Sequence, residues 1–291
     1  MPVIIPILFP LNSMTKYIFI TGGVVSSLGK GQPLTERPAP CIAIPTTAGT
    51  GSEVTKNSVL ASPEHRVKVS IRHPLLIPAV AIVDPECTFS MPPAVTAATG
   101  LDALTQLLEA FTSRKANPMT DGFCREGLPR AVRALRRAFE NGSDRKAREE
   151  MALASLFGGL ALANAGLGAV HGYSGPVGGM FNVPHGMVCA ALLPHVTKAN
   201  LLALRAREPD APALARLTEF AQMTGGKTAE DGIKWIAGLC RDLQTPSLST
   251  LGVTKADFPV LIEKTQRASS MKTNPVDLTA EELTQVLREA F

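Results

Sequence analysis

An aspartate and two histidines have the residue types and settings for metal chemistry. Asp102 lies in the apolar segment Gly100-Leu-Asp-Ala-Leu-Thr-Gln-Leu-Leu-Glu109, and His171 and His185 stand in a Gly- and Ala-rich stretch. The chain has five histidines, and these two occupy Val-His-Gly and Pro-His-Gly settings. Small neighbours leave an imidazole room to reach something other than packed side chains. A carboxylate with two neutral imidazoles is a hard-to-borderline donor set suited to Fe(II) or Zn(II). An ion held this way in an apolar helical body acts as a Lewis acid, which points to an enzyme.

The elements that must position these groups are mostly helices. Ser90 followed by Pro92 and Pro93 marks a helix start. Beyond it Asp102, Gln106 and Glu109 fall at i, i+4 and i+7, on one helix face. One long helical block is expected over about 144–170, with Gly158–Gly168 permitting close helix contact. Later helices fit 211–223, 228–243, 255–267 and 279–290, and Thr279-Ala-Glu-Glu282 is a capping box for the last. Strands are expected at 16–20, 41–44, 67–71 and 79–83, those at 16–20 and 41–44 buried. Two loops follow strands. Thr21–Gly31 carries glycines and Lys30, the makings of a phosphate cradle; Pro45-Thr-Thr-Ala-Gly-Thr-Gly-Ser-Glu53 offers hydroxyls and exposed amides for a pyrophosphate or ribose.

Composition narrows the function class. With 291 residues and 45% hydrophobic side chains the chain can bury a sizeable core, and 5% aromatics with plentiful Ala and Gly favours packed helices over a β-sandwich. The net charge is +4. Its densest cluster, Arg130, Arg133, Arg136 and Arg137, is diluted by Glu140, Asp144, Glu149 and Glu150 and lacks interleaved aromatics. It reads as a solvated helix face, not a nucleic-acid surface. Five scattered cysteines without a CxxC fit a reducing cytoplasm. The apolar start Met1–Pro10 is broken by three prolines and is too short to span a bilayer, so a soluble protein without a membrane partner is expected.

Two family resemblances enter here. Met14–Gly31 resembles the N-terminus of CTP synthase, which implies an ATP-binding role with Lys30 near the phosphates. It covers about eighteen residues and stops at Gln32, where prolines 33, 38 and 40 break any following helix. Far more of the chain, from about residue 36 onward, resembles the iron-containing (group III) alcohol dehydrogenases. The motifs are Pro45–Glu53, Ile82-Val-Asp-Pro85, Gly100-Leu-Asp-Ala-Leu-Thr105, Val170-His-Gly172 and Pro184-His-Gly186, in that order. The resemblance implies a mainly α chain: a truncated, Rossmann-like α/β remnant followed by an all-helical metal-binding domain. The expected divisions are a CTP-synthase-like segment 1–31, the dinucleotide-binding remnant 32–88 and the helical domain 89–291.

It further implies hydride transfer between NAD or NADP and a small alcohol or aldehyde, assisted by Fe(II) or another divalent metal such as Zn. Thr46, Thr47, Gly49, Thr50, Ser52 and Lys68 would touch the cofactor. Asp102, Gln106, His171 and His185 would stand at the metal, and a homodimer is possible. Departures from the family pattern accompany these matches. Gln106 stands where a histidine ligand is common, and Gly175 where many relatives carry a histidine near the nicotinamide; a branch of the family shares both. The family's Gly-Gly-Gly-Ser loop has no counterpart upstream of Pro45. Two rival readings are a non-catalytic helical remnant that binds metal or dimerises, and a CTP-synthase-like ligase.

Overall fold

A computed structural model describes residues 38–62, 67–181 and 183–291, with side chains left out for 60–62 and 67–70. The segment 1–31, its expected strand and Lys30, and also His65, lie outside the described residues. Among the described residues, two small sheets precede the helices. In one, β1 (Ile42–Ala43) pairs in parallel with β4 (Val80–Ala81); in the other, β2 (Asn57–Ser62) and β3 (Val67–Arg72) form an antiparallel hairpin. Strands β1, β3 and β4 coincide with expected ones, whereas β2 was not foreseen, since Asn57-Ser-Val-Leu-Ala-Ser62 carries little apolar alternation. The expectation that 41–44 is buried fails: Ile42 is 38% exposed, and its neighbour across the pair, Val80, 47%.

The helical body begins at α1 (Pro93–Thr112), with Pro92, not Ser90, as the residue before its first turn. Every residue from Gly100 to Thr112 is buried. A helix buried on every face belongs at the centre, and α1 packs against α2 (Pro118–Glu140), α3 (Arg145–Ala165), α5 (His185–Arg207) and α6 (Pro212–Met223). Leu101, Leu104 and Leu107 are wholly enclosed; truncating any one to Ala costs about 2–5 kcal/mol. The remaining helices are α4 (Ala169–Phe181), α7 (Ala229–Asp242), α8 (Phe258–Gln266) and α9 (Ala280–Ala290).

The single block expected over 144–170 is two helices. Gly166, at φ 75°, leaves α3 in a conformation that other residues rarely adopt, and α4 departs at 102°. That turn brings His171, in the first turn of α4, back toward α1. Among the described residues α5 is long and apolar enough to cross a membrane, but it is mostly buried against α1, α4, α7 and α9. The capping box at Thr279–Glu282 is present. So is the solvated arginine face of α2: Arg130 pairs with Glu126 and Glu150, Arg133 with Glu150, Arg136 with Asp242 and Arg137 with Asp144.

Candidate metal centre

Asp102 lies mid-way along α1, its side chain inside the body. Gln106, one turn later, donates from Nε2 to Asp102 Oδ2 at 3.4 Å, which leaves Oδ1 buried and without a hydrogen-bond partner. Glu109, a further turn on, grips the start of α4. Its Oε1 accepts from the Val170 backbone N–H at 2.7 Å, and its Oε2 lies 2.6 Å from His171 Nδ1. A carboxylate suits a helix N-terminus, where backbone N–H groups lack intrahelical acceptors. Holding His171 at Nδ1 also fixes its tautomer and presents Nε2. That Nε2 lies 3.4 Å from Asp102 Oδ1.

His185 opens α5, and its Nε2 lies 3.6 Å from Asp102 Oδ1. The approach depends on Gly186: a Cβ there would fall 2.2 Å from the Ala98 carbonyl oxygen of α1. One turn along α5, Cys189 Sγ sits 3.7 Å from His185 Nε2 and 4.0 Å from His171 Nε2. One donor atom from each of Asp102, His171, His185 and Cys189 lies within 4.8 Å of the others. The structure thus joins three of the expected ligands directly, with Gln106 buttressing one of them. Cys189 was missed. Its signal in the sequence is the His185-Gly-Met-Val-Cys189 spacing, which puts both side chains on one face of a helix.

The cluster's electrostatics follow from burial opposed by close charges. Burial acts to raise the Asp102 carboxyl, but His185 and His171 outweigh it and hold it below its ordinary value. Burial acts to lower both imidazoles, and the acidic neighbours, Cys189 foremost, override it so that both are raised. Cys189 is pulled down by His185 and His171 against burial, whereas burial pushes the Cys124 thiol up to about 12 and Cys240 up to about 11. A divalent cation matches this set: an unpartnered carboxylate oxygen, two imidazoles and a thiol converge in a space open to solvent only at His185. Gln106 Oε1 is also buried without a partner.

The Pro45–Glu53 loop docks on the far side of α3. Gly51 adopts φ 55°, and a Cβ on it would meet the Ser155 carbonyl oxygen at 2.5 Å and Gly159 at 2.6 Å. The next-door Gly158 faces Gln106 Oε1, where an added Cβ would lie 3.3 Å away. Adjacent glycines of α3 therefore separate the loop from the metal cluster by one backbone thickness. Thr50 is exposed, Thr46, Thr47 and Ser52 are half-buried and Gly49 is buried. Glu53 is buried, and burial raises its carboxyl. Lys68 is placed on β3, its side chain outside the described set. No residue of this loop joins the metal cluster.

Comparison with known proteins gives a consistent result along the chain. Residues 96–291 match the family model "Fe-containing alcohol dehydrogenase family, C-terminal", and residues 12–85 match "Iron-containing alcohol dehydrogenase". Alcohol dehydrogenase 4 of Saccharomyces cerevisiae is 39% identical over 255 residues, covering 87% of this chain and 65% of the relative. The 1,3-propanediol dehydrogenase of Klebsiella pneumoniae is 40% identical over 264 residues, covering 89% of this chain and 67% of the relative. The chain thus spans about two thirds of the length of these relatives. A crystal structure of a 1,3-propanediol oxidoreductase superposes with TM-score 0.81 at 38% identity, covering 89% of this chain and 68% of that one. Sulfoacetaldehyde reductase from Bifidobacterium kashiwanohense, solved with NAD+, gives TM-score 0.80 at 32% identity, covering 92% and 69%.

Proposed function

We propose a function from one premise: the chain belongs to the iron-containing alcohol dehydrogenase family. The reading is a metal-dependent, NAD(P)-linked alcohol dehydrogenase or aldehyde reductase acting on a small alcohol or carbonyl compound. The observation that carries it is the convergence of Asp102, His171 and His185 within 4.8 Å around a buried carboxylate oxygen that has no partner. When bound there, Fe(II) or Zn(II) supplies Lewis-acid polarisation of the substrate oxygen, and NAD or NADP the hydride exchange.

The chain's own residues do the positioning. Asp102, His171 and His185 hold the ion, with Gln106 at Asp102 Oδ2 and Glu109 at His171 Nδ1 fixing two of them. The His185 side chain is 40% exposed and marks the open side by which substrate approaches. Thr46, Thr47, Gly49, Thr50 and Ser52 offer hydroxyls and amides to the cofactor's ribose and diphosphate, and Lys68 a cation. Residues 32–88 form the dinucleotide side in this reading and 89–291 the metal side. Gly175 supplies no imidazole for proton transfer. A nicotinamide cofactor is supported by the relative solved with NAD+.

The test is metal analysis of the purified chain, fluorescence titration with NADH and NADPH, and assay of alcohol-dependent cofactor reduction. Metal, cofactor binding and turnover together are expected. Metal without cofactor binding or turnover overturns the dehydrogenase reading in favour of a non-catalytic metal-binding body. Binding of ATP alone favours the ligase reading of residues 14–31.

A further inference from the structure

We propose that Cys189 Sγ, and not the Gln106 carbonyl, is the fourth protein ligand, completing an Asp–His–His–thiolate tetrahedron for a thiophilic divalent ion. The proposal rests on the metal-centre reading above and concerns which ion that centre prefers. The geometry is the first argument. Ordinary zinc bond lengths at tetrahedral angles put oxygen–nitrogen edges at ~3.3 Å and sulfur–nitrogen edges at ~3.6 Å. The oxygen–nitrogen edges here are 3.4 and 3.6 Å, and the sulfur–nitrogen edges 3.7 and 4.0 Å. Four of the six edges between these donors from three helices lie within about 0.4 Å of the tetrahedral values, and all six within 4.8 Å.

The second argument is what Gln106 does instead. Its Nε2 donates to Asp102 Oδ2, which turns the carboxylate so that Oδ1 faces the two imidazoles. Its Oε1 lies against Gly158 of α3. Gln106 thus acts as a positioning residue for Asp102. The third argument is enclosure. Asp102 is 2% exposed and Cys189 fully enclosed, so neither donor faces solvent in place of an ion. Loading is balanced: the S–H bond breaks, the S–metal bond forms and the proton passes to solvent. A soft ligand shifts preference toward zinc or cobalt relative to ferrous iron.

Cobalt(II) titration of the metal-free protein, followed by absorption, tests this without any activity assay. Wild type is expected to show visible ligand-field bands of tetrahedral cobalt together with a sulfur-to-cobalt charge-transfer band in the near ultraviolet. Cys189→Ser should lose the charge-transfer band and keep the ligand-field bands, while Gln106→Ala should keep both. Zinc affinity should fall at least about tenfold in Cys189→Ser. Ligand-field bands without charge transfer in wild type would overturn the cysteine assignment and leave the metal centre standing. So would a charge-transfer band that survives in Cys189→Ser, since Cys41, Cys87, Cys124 and Cys240 remain in that variant. Absence of both signals in wild type would remove the metal centre itself, and this proposal with it.

Discussion

Three polar clusters lie buried in the same helical body, and they differ in completeness. Around Arg148 and around Asn274 the hydrogen bonds close. Arg148, 1% exposed, donates to the Gly142 carbonyl at 3.0 Å, to Thr96 Oγ1 at 2.9 Å and to the Met91 carbonyl at 3.3 Å. Asn274, fully enclosed, accepts from the Ala169 N–H and donates to Asn200 Oδ1 and the Val276 carbonyl. Around Asp102 the network stops short: Asp102 Oδ1 and Gln106 Oε1 have no partner. A closed network is a structural fastening, since each atom trades water for a protein partner. An open one recovers part of its desolvation from the opposite charges of Asp102, His171 and His185, and the rest only when a ligand arrives.

That contrast can be broken by substitution. Arg148→Ala should have the largest effect, a loss of about 3–5 kcal/mol measured by urea unfolding, because it strands buried acceptors and opens a cavity. Metal retention in its folded fraction should be unchanged. Asp102→Ala should do the reverse: metal retention by elemental analysis falls beyond detection, a loss exceeding about a hundredfold in affinity, while the metal-free protein loses less stability than Arg148→Ala does. Equal metal content in Asp102→Ala and wild type would sink the ligand assignment. Glu109→Gln should lie between, lowering metal affinity by about ten- to a hundredfold in equilibrium dialysis, since it loosens His171 without removing a ligand.

The smallest effect is expected at His195, a histidine outside all three clusters, 3.5 Å from Glu289. Burial holds its imidazole below the ordinary value despite Glu289. A group with a depressed folded pKa contributes stability that is present above its unfolded pKa and lost as pH falls through the folded one. His195→Gln should therefore flatten slightly the decline in unfolding free energy between neutral pH and about pH 5.5, with metal content unaltered. A steeper decline in the variant would contradict the sign.

The sequence reveals the proposed ligands better than it reveals what arranges them. Asp102, His171 and His185 were legible because the chemistry of each is rare in apolar surroundings. Gln106 and Glu109 could be placed on the Asp102 face from helical spacing, but Glu109's hold on α4 depends on a partner far along the chain. Cys189 resembles any small core residue until α5 is set against α4 and α1. The turn at Gly166 was hidden because one glycine among several in Gly158–Gly168 gives no sign of which will take a positive φ. Strands β1 and β4 were found by their apolar runs, yet burial is a property of what covers a strand, and Ile42 and Val80 stay partly exposed.

Because α1, α4 and α5 each bring a donor, an ion seated among them ties together points far apart along the chain. In polymer terms it is a cross-link that closes the long stretch from Asp102 to His171 and the shorter one from His171 to His185. The entropy of closing such loops is spent in folding, so the ion binds the folded chain, where the donors already converge, and not the unfolded one. The apparent stability of the chain then becomes a function of free-ion concentration, rising by about 2.7 kcal/mol at a hundredfold excess over the dissociation constant. The same side chains that define the chemistry would thereby make the fold itself a sensor of metal supply.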